Sequence, residues 1–275
     1  MEEKERIELK RKYNPEGSDL RKAQYRMLEM LSFVDKVCLK YGITYWLDFG
    51  TLLGAARHSG FIPWDDDIDI CMPERDARKF KEVMLNHYSD GEFVLQCRET
   101  DPGFFAPWPV LRDRKSEYLQ NSNLHNARKY RGLQVDIFIL KNHNITIFQK
   151  LASILEYKLI TRPLLETKFS RFLASSSRFW YVVLYTFLFK IINIISCFCS
   201  NKLYYTYTYG TPFTDKHLVK TIYPLSRALF EGRTFNAPND IDKYLTESYG
   251  NWRRIPNEDE IETHNVKVVF YDDVR

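Results

Sequence analysis

Apolar residues recur three and four apart from Leu20 through Met27, Leu31, Val34, Val37, Cys38 and Tyr41. That spacing lays one apolar stripe along a helix. Ser18 and Asp19 offer capping oxygens before it, and Gly42 stops it. Ile43 to Phe49 reads as a buried strand, after which Gly50 and Thr51 open a short helix through Leu52, Leu53 and Ala56, ending near Gly60. Past the turn at Pro63, Ile68 to Met72 form a second short strand, and Pro73 begins a helix to about His87. Further strands are expected around Glu92 to Arg98, Val110 to Leu119 and Leu133 to Leu140. This order predicts an α+β fold, a small mixed sheet backed by helices.

From about Ile145 to Tyr209 the pattern turns helical, with basic and apolar residues interleaved. It predicts a helical insertion over about 145–210 in a single domain whose core occupies about 18–142 and 221–265. Turn chemistry follows in FEGRTFNAPND, then a capped helix from Asp240 to Tyr249 and the loop YGNWRRIP. Within the insertion, Phe179 to Cys199 reads FWYVVLYTFLFKIINIISCFC. At about 1.5 Å per residue a helix of that length reaches across a bilayer, but Lys190 near its middle costs about 2.5–3.5 kcal/mol there. Three readings stay open: a span, a helix lying on the membrane, and a buried helix of the fold.

Composition narrows the class. The 275 residues are 44% hydrophobic and 15% aromatic, which suits a folded protein with a substantial core rather than a disordered one. Forty basic against thirty-six acidic residues leave a net charge of +4, too mild for a nucleic-acid footprint, and no nucleic-acid partner is expected. Acids crowd Asp65 to Asp69, while basic residues recur at Arg112, Arg114, Lys115, Arg128, Lys129 and Arg131. The five cysteines lack paired CxxC spacing, so reduced thiols are expected. The opening MEEKERIELKRK is charged and has no apolar core region, so no secretory signal is expected. A cytoplasmic location follows, with contact to the inner membrane face through 179–199 as an option.

The acidic run carries the chemistry. In Asp67-Ile68-Asp69-Ile70 acids and isoleucines alternate, so on a strand both carboxylates project from one face. Such a pair is a hard-ligand site for Mg²⁺ or Mn²⁺, which takes carboxylates together with substrate phosphate oxygens. Asp136 interrupts the apolar strand LQVDIFIL and suits a third ligand, since an isolated acid there is costly unless paired or metal-bound. Gly50 and Thr51, between strand and helix, let the backbone approach an anion. Arg57, His58, Arg112 and Lys115 are candidates to meet phosphate groups, and Trp64 either walls the pocket or staples its loop to the core.

The turn of Gly50 and Thr51, the spaced acids and the later lone acid resemble the nucleotidyltransferase superfamily pattern. The longer string GTLLGAARHSGFIPWDDDIDI, with VLRDRKSEY, VDIFIL and FEGRTFNAPNDIDKYLTESYGNW, resembles the LicD family, which includes bacterial phosphocholine transferases and relatives of the fukutin-related ribitol-phosphate transferases. The resemblance implies a nucleotidyltransferase-like fold and transfer of a phospho-alcohol, phosphocholine first, from a CDP-linked donor (CDP-choline first) to a sugar hydroxyl of a surface glycan or its lipid-linked precursor. CMP is released. It implies Asp67, Asp69 and Asp136 as metal ligands, with Asp65, ahead of Asp66, as general base or outer-sphere partner. Family members often continue the third strand as DIFPLDG, where this chain has Ile139 and Lys141. Two other readings remain: a nucleotidyltransferase that uses an NTP, and a catalytically silent glycan-assembly factor. Asp48 and His264 have no assigned role from sequence.

Overall fold

A computed structural model of the chain describes residues 3–101, 104, 106–119, 123–126, 128–142, 202–208, 211–261 and 267–274, with isolated positions between 143 and 201. Helix α1 (Glu3–Tyr13) has no apolar periodicity and buries no residue, so hydrophobic spacing gave no sign of it. Helix α2 (Asp19–Tyr41) follows its apolar stripe. Ser18 Oγ accepts from the Arg21 N–H at 3.2 Å, and Gly42 ends the helix in the left-handed region at φ 59°. Its buried face, Leu20, Ala23, Met27, Leu31, Val34 and Val37, packs into the core. Each of the larger of these side chains contributes roughly 1.5–3 kcal/mol of burial.

The expected strand at 43–49 shrinks to β1 (Trp46–Leu47), because helix α3 (Phe49–His58) already begins at Phe49. Strand β2 (Asp69–Pro73) leads directly into α4 (Glu74–His87). After β3 (Phe93–Gln96), the single strand expected over Val110 to Leu119 divides into β4 (Val110–Asp113) and β5 (Ser116–Tyr118). A short helix α5 (Asn123–Asn126) precedes β6 (Gln134–Lys141). The main sheet runs β1-β2-β6-β4-β3, and β7 (Tyr204–Tyr207) and β8 (Lys216–Leu218) extend it from the far end of β6. Tyr204 to Tyr207 were expected to be helical, so the end of the predicted insertion is corrected: it is a sheet strand. Most of 145–210, including most of 179–199, and His264 lie outside the described residues. Among the described residues, no helix is long and apolar enough to cross a membrane.

Two registers position the site. Strands β2 and β6 pair in parallel with Asp69 opposite Asp136, while β4 pairs antiparallel on the other side with Val110 opposite Asp136. The two acids therefore stand on neighbouring strands at one level. The fold closes with α6 (Val219–Ile222), the hairpin β9 (Ser226–Phe230) and β10 (Arg233–Ala237), and α7 (Ile241–Tyr249), with β11 (Val268–Phe270) pairing β5 apart from the main sheet. At the hairpin turn Glu231 takes the buried Arg21 guanidinium at 2.7 Å and the Phe61 N–H at 3.1 Å. That clamp ties the hairpin both to α2 and to the loop leading toward the acids. Cys38, Cys71 and Cys97 are free thiols in the core, as the unpaired spacing implies.

Candidate active site

The turn between β1 and α3 forms the floor of the site. Phe49 sits at φ 39°, in the left-handed region that costs a non-glycine residue on the order of 1–3 kcal/mol. Its ring is held among Phe213 at 4.6 Å, Phe138 at 4.9 Å and Tyr207 at 5.2 Å between centroids. That packing supports the strained backbone. At Gly50 an added Cβ would stand 2.6 Å from an oxygen of Asp65, so glycine is required for the carboxylate to approach. Thr51 lies beneath, its Oγ1 accepting the Asp69 N–H at 2.8 Å.

Asp67, Asp69 and Asp136 each present an oxygen within 4.8 Å of the other two. Asp69 and Asp136 come from the paired strands, but Asp67 precedes β2, so the alternation expected along one strand begins only at Asp69. Burial, then repulsion from Asp65 and Asp136, raises the Asp67 carboxyl well above its ordinary range. Burial, then Asp67 and Asp136, does the same to Asp69. Asp136 is raised by burial, against the lowering effect of the Trp108 indole, Arg112 and the Gln134 amide. Trp108 Nε1 donates to one of its oxygens and Gln134 Nε2 to the other, each at 2.6 Å. Three converging, mutually repelling carboxylate oxygens with one ligand oriented by two neutral donors fit a divalent cation, whose charge would relieve the repulsion.

A cavity of about 510 Å³ opens above these acids. Gly50, Asp65, Asp67, Asp69, Asp136 and Arg112 line it, so six of the residues expected from sequence meet in one place. Its walls are otherwise aromatic: Phe49, Phe104, Trp108, Phe138, Phe213 and Tyr249. Tyr45 and Trp46, just before the turn, are fully buried in the core, whereas Trp108 lines the cavity. Asp66 turns the other way. It accepts from Tyr118 Oη at 2.6 Å and lines a second cavity of about 240 Å³ with Tyr118, His125, Arg128 and the 132–134 segment.

Five expected residues line neither cavity: Thr51, which lies beneath, and Arg57, His58, Trp64 and Lys115. Arg57 donates to the carbonyls of Trp252 and Arg254 at 3.2 and 3.0 Å, and its Nε donates to His58 Nε2 at 3.0 Å. His58 is buried, and that burial, with Arg57 beside it, pushes its pKa down to about 3. Trp64 packs edge-on against Tyr13 and His58, stapling its loop, and Lys115 pairs with Glu92 at 3.4 Å. Sequence reasoning missed Gln134, although it stands two residues before Asp136, on the same strand face. It also left Asp48 unexplained. Asp48 is buried and accepts from Cys71 Sγ at 2.6 Å, Tyr207 Oη at 2.8 Å and Tyr244 Oη at 2.9 Å, fixing the turn that carries Phe49 and Gly50.

Residues 42–157 match the family described as LicD/FKTN/FKRP, nucleotidyltransferase domain, a span that holds every residue of the acidic centre. By that match, residues 42–157 are assigned to the LicD/FKTN/FKRP family. It is 24% identical over 277 aligned residues to the lipopolysaccharide cholinephosphotransferase LicD of Haemophilus influenzae, covering 91% of this chain and 97% of that protein. It is 50% identical over 98 residues to the ribitol 5-phosphate transferase FKRP of Mus musculus, covering 35% of this chain and 18% of that one. The LicD resemblance thus reaches well beyond the acidic signature, whereas the FKRP match is confined to a short, strongly similar stretch.

Proposed function

We propose that the chain is a metal-dependent transferase that moves a phospho-alcohol, phosphocholine first, from a CDP-linked donor to a sugar hydroxyl of a surface glycan or its lipid-linked precursor. The observation that carries this reading is the convergence of Asp67, Asp69 and Asp136 at the base of a cavity large enough for a nucleotide-linked donor. The near full-length similarity to a cholinephosphotransferase supports phosphocholine over other alcohols.

In this reading Asp67, Asp69 and Asp136 hold Mg²⁺ or Mn²⁺. The ion, when bound, neutralises phosphate charge and makes the phosphorus more electrophilic. Gly50 leaves room for the Asp65 carboxylate against the start of α3, and the ring-lined wall excludes water from the reacting atoms. The acceptor oxygen bonds to the donor phosphorus next to the alcohol, and the bond from that phosphorus to the bridging oxygen breaks, so CMP leaves with the electron pair. Asp65, beside Asp67, takes the acceptor's proton and returns it to solvent.

Incubating the purified protein with Mg²⁺, a glycan acceptor and a panel of CDP-alcohols, and following CMP, tests the proposal. CMP release with at least one donor is expected, and its loss by about 100-fold or more in Asp67→Asn or Asp136→Asn. Pyrophosphate released from CTP without CMP from any CDP-alcohol would replace this reading with nucleotidyl transfer.

A further inference from the structure

Two arginines stand where the two cavities meet. Arg112 and Arg128, with Asp67 and Gln134, line both the 510 Å³ and the 240 Å³ cavity. Arg112 is buried, donating through Nε to Gln96 Oε1 at 2.7 Å and through Nη1 to the Gly132 carbonyl at 2.9 Å. Arg128 is half-buried, its guanidinium 5.7 Å from the centroid of the Phe104 ring. Among the described residues neither has a carboxylate within ion-pair distance. Elsewhere in the fold, Arg21 and Arg26 are met by Glu231 and Asp113 at 2.7 Å. Leaving a guanidinium largely desolvated without a counter-charge is costly, and an anionic ligand removes that cost.

The position says which anion. The acids proposed to hold the metal line the same larger cavity, and Asp67 lines both, so a group lodged beside the arginines there meets cationic charge from them and from the ion. A diphosphate suits this, being doubly anionic and able to accept planar, paired hydrogen bonds from arginine. A CDP-linked alcohol also has an organic group at each end of its diphosphate, and one cavity opens on each side of the shared wall. The larger, with six aromatic side chains, offers rings on which a pyrimidine can stack. The smaller, with Tyr118, His125 and the Asp66 carboxylate, is the polar one.

We propose that Arg128, backed by Arg112, clamps the donor's diphosphate at the junction of the two cavities, so that the nucleoside extends into the ring-lined cavity and the transferred alcohol into the polar one. This rests on the CDP-linked donor proposed above. Arg128 was met in the sequence only as one member of a basic cluster. It is the better residue to test, because it carries no hydrogen bond from its guanidinium among the described residues, whereas Arg112 is built into the Gln96 network.

Calorimetric titration with Mn²⁺ alone, then with CDP and with inorganic pyrophosphate in the presence of Mn²⁺, separates the possibilities. For Arg128→Gln the expected result is a 10- to 100-fold weaker affinity for both CDP and pyrophosphate. Mn²⁺ affinity should be unchanged or tighter, since a nearby cation is gone, and Arg128→Lys should restore only part of the loss. Wild-type CDP binding that Arg128→Gln leaves intact overturns the clamp and spares the donor reading. Loss of Mn²⁺ affinity in step with CDP also overturns it, by making Arg128 a support for the acids. Wild-type binding of pyrophosphate but not CDP, still sensitive to Arg128, upholds the diphosphate clamp and overturns the cytidine donor.

Discussion

Asp48 is a buried carboxylate with no cation within ion-pair distance among the described residues. Its two oxygens are satisfied by two phenols and a thiol, all neutral donors on β2, β7 and α7. Truncating it leaves Tyr207, Tyr244 and Cys71 buried with fewer partners, and each stranded hydroxyl costs about 1–3 kcal/mol. Asp48→Ala should therefore destabilise the fold by about 3 kcal/mol, read in urea unfolding, and free the Phe49 turn enough to depress activity further than stability alone explains. A loss under about 1 kcal/mol would remove Asp48 from the scaffold of the site. Sequence could not assign it, because Tyr207 and Tyr244 lie 159 and 196 residues away and nothing local marks them as partners. The three clustered acids were legible for the opposite reason. Asp67 and Asp69 stand two apart in the chain, and Asp136 is a lone charge in an apolar strand, so each stands out without knowledge of its neighbours.

At the scale of elements, legibility followed local signals. Helix α2 has a periodic stripe, a capping serine and a terminating glycine, and sequence gives both of its ends. The division of the expected 110–119 strand carried no such mark, since neither Gly nor Pro interrupts VLRDRKSEYL. What breaks it is tertiary: Asp113 takes Arg26 through both oxygens at 2.7 and 3.1 Å and also the Lys115 N–H at 3.1 Å, turning the chain so that β5 pairs with β11 instead. The turn is closed from the other side by Gly132, where an added Cβ would lie 1.8 Å from the Asp113 carbonyl oxygen and 2.7 Å from that of Ser116. Both are backbone atoms that cannot swing aside. Gly132→Ala should cost about 3 kcal/mol or more, read as a fall in thermal midpoint, since it forces β4 and β6 apart at the strand that holds Asp136. A wild-type midpoint in that variant would mean the segment yields easily. The helical periodicity expected up to Tyr209 failed at Tyr204 to Tyr207 on similar grounds. Four aromatic and polar residues fit either element, and the exposed edge of β6 decides for strand.

At the scale of the whole molecule, the fold concentrates acids at one cavity and holds them there at a cost that depends on pH. Asp67 and Asp69 are raised above their ordinary range in the folded state, by burial and then by repulsion from their neighbours. Folding without metal therefore takes up protons at these sites. Their contribution to stability is complete below the ordinary carboxylate pKa and is lost as pH rises through the raised folded value. His58 runs the other way. With its folded pKa pushed down to about 3, the stability linked to its neutral form is present above its ordinary value of 6.5 and is lost as pH falls toward 3. The raw pH profile of the wild type thus mixes two opposing slopes. Comparison with Asp69→Asn removes the confusion, because His58 is common to both proteins and cancels in the difference. In chelator, Asp69→Asn should be more stable than wild type by on the order of 1 kcal/mol at about pH 8, the advantage shrinking as pH is lowered toward about 5. Mn²⁺ should reverse the order at high pH by raising the wild-type midpoint and leaving the variant's nearly unchanged. A pH-independent difference, or equal stabilisation of both proteins by Mn²⁺, would mean that the acids are not held under mutual repulsion and that the cavity is not built around a cation.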